Sequence, residues 1–306
     1  MPRFQAIRLR AYNRRCFNER EAGQVAWVFL TLTYGLLKGV RDIVKKKAMG
    51  RSSVMEVLFT YTLISFIMVL PDAKNAMGLS AMGLLFTALK SLIIFIAWLC
   101  GFNALSRMPV SLYGVLDLTR ILFSTLMGVC LLGETLGAAQ IAGMALVMLG
   151  LLMLGRTRNA PDGERVSAKA LGLSLICCFL NSASGTMDKV LMRTMTSAQL
   201  QFWYMFFLTL YYALFLLVRR EKINVRGVLT NGWIYLLSAI FVIGDRALFM
   251  ANGTPESRVT VMQLIKQSGC IVSIIGGRLI FHEKGTLYKL CCAGVVLAGI
   301  AVSVLL

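Results

Sequence analysis

Six charged side chains sit deep inside apolar runs of this sequence, and their types and spacing are the ones that could do chemistry. Asp117 and Arg120 are three residues apart, which on a helix puts them on one face with Tyr113 and Ser124. Lys266 falls on a helical face with Gln263, Gln267 and Cys270, while Asp245 and Arg246 are adjacent and Lys90 stands alone in its run. A charge at the centre of a membrane-spanning helix costs about 2.5–3.5 kcal/mol on insertion scales. Such groups persist where they line a polar cavity or pair to hold helices together, and both readings stay open at this point. The candidate substrate-binding set is Asp117, Arg120, Lys266, Lys90, Asp245, Arg246, Tyr113 and Gln263. Its central charges are Lys90, Arg120, Arg246 and Lys266 against Asp117 and Asp245, and no Glu lies deep in any run. That surplus of cations favours an anionic or zwitterionic ligand.

These residues must be positioned by helices. The chain has 306 residues, 58% hydrophobic and only 15% charged; soluble domains run at about 45–50% apolar with charges near a quarter. The apolar residues form runs near the ~20 residues that a helix needs to cross a bilayer. Spans are expected at 25–44, 54–70, 84–105, 110–132, 138–154, 170–190, 202–218, 233–251, 259–281 and 287–306. Lipid offers no partner to backbone groups, and the runs lack the alternation of barrel strands, so the spans are helices. A basic tail (1–23) precedes them, and a turn-rich linker (155–169) with Asn159-Ala160-Pro161-Asp162-Gly163 divides two halves, 24–154 and 170–306.

The halves match. Gly39, Asp42, Lys47 and Met49 meet Gly185, Asp188, Arg193 and Met195 at an offset of 146 residues. Asn103, Val110, Ser124, Gly128, Glu134 and Gly150 meet Asn252, Val259, Ser273, Gly277, Glu283 and Gly299 at an offset of 149. Five helices per half is an odd number, so the second half enters the membrane in the opposite orientation. The expected fold is an all-α integral membrane protein, ten transmembrane helices as two inverted five-helix repeats. Such a pair places its site near the bilayer midplane at the repeat interface. Asp117 and Lys266 are equivalent at the 149 offset and are expected to approach one another in at least one conformation. Asp42 and Asp188, with Lys38 and Arg41, lie near expected helix ends, where capping or snorkelling explains them. Trp98 lies deep enough to pack in the core or line a cavity, and Gly35 and Gly39 suit a close helix contact within the bundle.

Other classes fit poorly. The formal charge is +18, but the basic residues crowd short loops and helix ends, as membrane topology requires, so no nucleic-acid partner is expected. Seven of the eight cysteines fall in apolar runs, without CxxC or Cys/His ligand spacing, so neither disulfides, a metal nor a cofactor is expected. There is no GxxxxGK[ST] loop for ATP. Gly244-Asp245 and Ser182-Ala183-Ser184-Gly185 are fragments of intramembrane protease motifs, yet the first needs a second aspartate and the second a general base. An intramembrane enzyme or a receptor stays a remote alternative.

Glu134 opens the segment Glu134-Thr-Leu-Gly-Ala-Ala-Gln140-Ile-Ala-Gly143 that runs to Gly150, and Glu283 opens its counterpart, with sixteen residues from Glu to Gly in both. This resembles the end of each EamA-type repeat in the drug/metabolite transporter superfamily, where a small-residue-rich fifth helix follows the Glu. Members commonly carry a proline thirteen residues before that Glu; here Ile121 and Cys270 stand there. The resemblance implies a secondary transporter of a small metabolite working by alternating access, in the bacterial cytoplasmic membrane, with its amino terminus cytoplasmic. The basic clusters at Lys45–Lys47 and Arg219–Arg220 argue for the opposite orientation. Partners would be a small-molecule substrate, the lipid bilayer and, if Asp117 or Asp245 titrates, a coupling proton. A flippase-like carrier of a lipid-linked substrate is the alternative.

Overall fold

The structure, a computed structural model, describes residues 2–132, 137–156, 167–221, 223–254, 257, 262 and 265–305. Every regular element among them is helical: α1 (Pro2–Met49), α2 (Val54–Val69), α3 (Ala73–Ala76), α4 (Ala81–Leu105), α5 (Val110–Leu116), α6 (Arg120–Leu132), α7 (Ala138–Arg156), α8 (Ala168–Leu191), α9 (Ser197–Arg219), α10 (Val225–Leu229), α11 (Gly232–Gly253), α12 (Ser268–Phe281) and α13 (Thr286–Leu305). Among the described residues six stretches are long and apolar enough to cross a membrane: Val54–Ala76, Ala81–Leu105, Val110–Met127, Ala168–Leu191, Ser197–Arg219 and Gly232–Gly253. Ile141–Gly150, Ser268–Phe281 and Thr286–Gly299 are shorter apolar helices. Phe29, Leu85, Leu152 and Leu217 project outward from four different helices, an apolar exterior suited to lipid.

The helices start where local chemistry lets them. Ser53 and Glu56 form a reciprocal capping box on α2, and Thr196 with Gln199 does the same on α9. Many hydroxyls within the bundle donate to carbonyls one turn back, as with Thr62 on Leu58 and Ser65 on Tyr61. Some also reach a neighbour: Ser91 donates to Tyr204 O (3.3 Å) and Ser238 to Tyr61 O (3.1 Å). In lipid such ties supplement packing, because water supplies no hydrophobic drive between helices.

Helices of one half pack mainly on helices of the other, and the pairings recur with the halves exchanged. α1 lies on α11 as α8 lies on α4; α1 lies on α12 as α8 lies on α6; α2 lies on α11 as α9 lies on α4. The α2–α9 and α7–α13 pairs are their own counterparts. This is the contact pattern of a two-fold related pair of repeats. The matched glycines Gly150 and Gly299 face each other's helix on the α7–α13 seam, where a Cβ on Gly299 would lie 2.6 Å from the Gly143 carbonyl.

Two features differ from the sequence reading in informative ways. First, α1 does not stop at residue 44 but continues to Met49, so residues 38–45 lie inside the helix rather than at its end. Second, Glu283 not only opens its segment but reaches into the other half. Its carboxylate accepts from the backbone N–H of Val110 (2.6 Å) and Ser111 (3.1 Å) and from the Ser111 hydroxyl, and Lys289 lies 3.7 Å away. A residue of the second half thus satisfies the orphan donors that open α5 in the first. Its counterpart Glu134 lies outside the described residues.

Gly35 and Gly39 make their close contact inside the bundle, against α12. A Cβ on Gly35 would come 2.8 Å from the Ile265 carbonyl, and one on Gly39 would come 2.7 Å from the Val272 Cβ. Gly185, the repeat counterpart of Gly39, faces open space. Gly269→Leu is therefore expected to force α1 from α12 and destabilise the fold by about 1–3 kcal/mol, whereas Gly185→Ala leaves stability unchanged. Thermal melts of the two purified variants, read by loss of the monodisperse size-exclusion peak, check the contrast.

Candidate functional site

The helix formed by α5 and α6 is broken at Asp117–Thr119 by one 3-10 turn. Its counterpart in the second half is interrupted at the equivalent place, where Gln267 sits in a turn before α12. Discontinuous helices near a repeat interface are the usual way for a membrane protein to bring backbone and charge to a site. Side chains of α8 approach carbonyls on either side of the break: Ser182 Oγ donates to Arg120 O (2.9 Å), and Cys178 Sγ lies 3.7 Å from Leu116 O. Thr119 donates to Leu116 O at 2.7 Å.

The charges around this break pair in a defined order. Asp117, only 3% exposed, is gripped by Lys38 from α1 and by Arg120 Nε at 2.6 Å. Arg41 reaches Asp245 at 3.2 Å, Lys45 reaches Asp42 at 2.9 Å, and Lys90 reaches Asp188 at 3.1 Å. Aromatic rings carry part of the cationic load: Lys90 Nζ lies 3.7 Å from the Tyr204 ring centre, and Arg41 sits 5.8 and 5.5 Å from Tyr34 and Phe241. Lys38 also approaches Gln267 Oε1 at 3.5 Å.

Two adjoining cavities open between these pairs. The larger, about 60 Å³, is lined by Arg41, Lys90, Arg120, Asp188, Asp245 and Lys266 among its charged groups, with Trp98, Tyr204 and Phe249 as an aromatic wall and Ser182, Ser184 and Gly185 as a small-residue wall. The smaller, about 20 Å³, holds Lys38, Asp42, Lys45, Asp117, Tyr113 and Cys177. Arg41, Trp98, Arg120 and Asn181 border both. Such a chamber can hold a small polar solute by charge and can pack an apolar part of it on the rings.

Of the residues proposed from sequence, Asp117, Arg120, Lys90, Asp245, Lys266 and Tyr113 come together at these cavities. Arg246 does not: it points to the far side of α11 and binds Asp72 and Gln201. Gln263 lies outside the described residues. Asp117 and Lys266 occupy neighbouring cavities without pairing in this conformation; Lys38 takes the position beside Asp117, and Lys266 lies 5.9 Å from the Tyr34 ring. Trp98 borders both chambers.

Sequence reasoning undervalued Lys38, Arg41, Asp42 and Asp188. Lys38, Arg41 and Asp42 read as helix-end groups because the sequence places the end of α1 too early, and Asp188, which does lie near the end of α8, turns inward to Lys90. The signal that could have found them was the repeat match of Asp42 with Asp188, since each carboxylate borders one of the two cavities. The motif fragments near Ser182 and Asp245 are otherwise engaged: the Ser182 hydroxyl donates to the Arg120 and Cys178 carbonyls, and Asp245 is held by Arg41.

A model of the EamA-like transporter family matches this chain twice, over residues 25–156 and 168–305. No curated protein matches the sequence. A solved structure described only as a crystal structure of a protein is similar in fold, with a TM-score of 0.65 at 14% identity, covering 91% of this chain and 98% of that one.

The pairing order makes a stability prediction. Lys90→Met strands Asp188 as a buried carboxylate and is expected to destabilise the protein by about 3–5 kcal/mol. Lys266→Met removes a cation that has no carboxylate within salt-bridge reach among the described residues, and is expected to leave the melting temperature unchanged or higher. Melting of the two variants in one detergent decides the order; the opposite ranking would make Lys266 the structural partner.

Proposed function

Because the chain belongs to the EamA-like transporter family, we propose that it is a secondary transporter that carries a small anionic or zwitterionic metabolite by alternating access. In this reading ten helices span the bacterial cytoplasmic membrane as two inverted repeats, residues 24–154 and 170–306 forming the halves. The observation that carries the substrate sign is the composition of the two joined cavities: six cations, Lys38, Arg41, Lys45, Lys90, Arg120 and Lys266, against four carboxylates, Asp42, Asp117, Asp188 and Asp245. A buried site of net positive charge is neutralised by an anion and opposed by a cation.

Alternating access needs a site that the two halves can expose in turn. The broken helix at Asp117–Thr119 and its counterpart at Gln267 lie beside the cavities, on the α6–α8 and α1–α12 crossings that exchange under the repeat symmetry. Rocking one half on the other would widen one crossing as it narrows the other.

Reconstitution in liposomes with a panel of radiolabelled amino acids, organic anions, phosphorylated compounds, organic cations and sugars tests the substrate. Saturable uptake of anions or zwitterions is expected, and uptake confined to cations or sugars would refute the reading. The topology has its own test. Impermeant labelling of cysteines placed at each terminus should find both on one side of the membrane, and termini on opposite sides would exclude ten spans.

A further inference from the structure

We propose that the larger cavity seats a compact dianion between Arg120 and Lys266. The proposal rests on the transporter reading above and narrows it from anions in general to compact solutes that carry two negative charges.

Charge pairing around the cavities leads there. Asp42 is taken by Lys45, Asp188 by Lys90 and Asp245 by Arg41. Asp117 is shared by two cations, Lys38 and Arg120. Lys266 shares the larger cavity with Asp188 and Asp245 but has no carboxylate within 4.0 Å among the described residues, and the Tyr34 ring centre lies 5.9 Å from its ammonium. Two positive charges are therefore left over in a low-dielectric interior. One is Lys266, and the other belongs to the Lys38–Asp117–Arg120 group.

The geometry directs both to the same chamber. Arg120 engages Asp117 through Nε, which leaves the two Nη atoms of the fork for an oxyanion, the bidentate geometry in which guanidinium binds carboxylate or phosphate. Arg120, Lys266 and Ser124 all line the larger cavity. The Ser124 hydroxyl, one helical turn from Arg120, is buried and has no partner among the described residues. Gly185 borders the same space and adds no side chain to it. A buried chamber with a guanidinium fork, a spare ammonium and an idle hydroxyl is built for an oxyanion. A monoanion there leaves one cation uncompensated, and a cationic solute adds a third. A dianion closes the count, and the cavity of about 60 Å³ limits the charged pole to a small group. A phosphate monoester and a short dicarboxylate share this chemistry.

Calorimetric titration of the purified full chain separates them from monoanions of the same shape. The probes are methyl phosphate against dimethyl phosphate, and succinate against monomethyl succinate, at about pH 7, above the second phosphate ionisation at ~6. At least one dianion is expected to bind on the order of tenfold or more tightly than its monoanionic partner, the worth of one charge-assisted bond. Lys266→Gln and Arg120→Gln should each abolish that preference, Lys266→Arg should keep it, and Lys74→Gln, an exposed charge deletion, should not alter it. Preference in the phosphate pair alone identifies a phosphate monoester, and in the succinate pair alone a dicarboxylate; either supports the assignment. Equal binding within both pairs, no binding of either dianion, or a preference that survives both Gln variants overturns it. If monoanions or zwitterions are still taken up by liposomes in those cases, the dianion assignment fails and the transporter reading stands. If no anion or zwitterion is taken up, both fall.

Discussion

The interior of this bundle is organised by one constraint: a charge buried away from water must meet an opposite charge. Asp117 is where the constraint is most concentrated. It sits in the 3-10 turn that divides α5 from α6, is held by Lys38 of α1, and returns to its own helix through Arg120. The carbonyl of Arg120 in turn receives Ser182 of α8. One carboxylate thus connects the first helix, the broken helix and, through a backbone bond, the helix that opens the second half. The Arg41–Asp245 and Lys90–Asp188 pairs extend the same rule across the halves, from α1 to α11 and from α4 to α8. The cavities lie between these pairs.

Much of the fold was legible because its signals are long. Apolar runs, the repeat offsets of 146 and 149 residues and the matched Gly150 and Gly299 all report features that many residues share. The site was legible only in part. Asp117, Arg120, Lys90, Asp245 and Lys266 stood out because each interrupts a run, and each does border a cavity. Arg246 stood out for the same reason, yet it faces away, since two adjacent residues on a helix point about 100° apart. Partner identity was not legible at all. Nothing in the sequence distinguishes Lys38 from Lys266 as the neighbour of Asp117, because that choice depends on how α1 is placed against α5 and α6. The end of α1 was misread for a related reason: Lys45, Lys46 and Lys47 look like a loop, whereas Lys45 turns inward to Asp42 and Lys46 bonds to the Met108 carbonyl.

The family match and the structural similarity operate at different depths. Two repeats of the family are present, and the fold is shared at 14% identity. At that distance the architecture is held by packing pattern rather than by particular side chains. Where members commonly have a proline, Ile121 and Cys270 stand, and the helix is interrupted instead at Asp117–Thr119.

The two symmetry-related crossings are unequal. On α1 and α12 the contact is made by Gly35, Gly39 and Gly269; at the matching positions on α8 and α6 stand Asn181, Gly185 and Arg120. Backbone can close on backbone in the first crossing, but a guanidinium occupies the second. Exchange of the halves by the two-fold rotation cannot therefore regenerate this conformation. For a carrier working by alternating access, the inward-facing and outward-facing forms then differ in free energy, and the resting molecules collect on one side. The solute concentration for half-maximal flux will consequently differ between the two faces of the membrane, even though the equilibrium distribution of solute obeys its gradient alone.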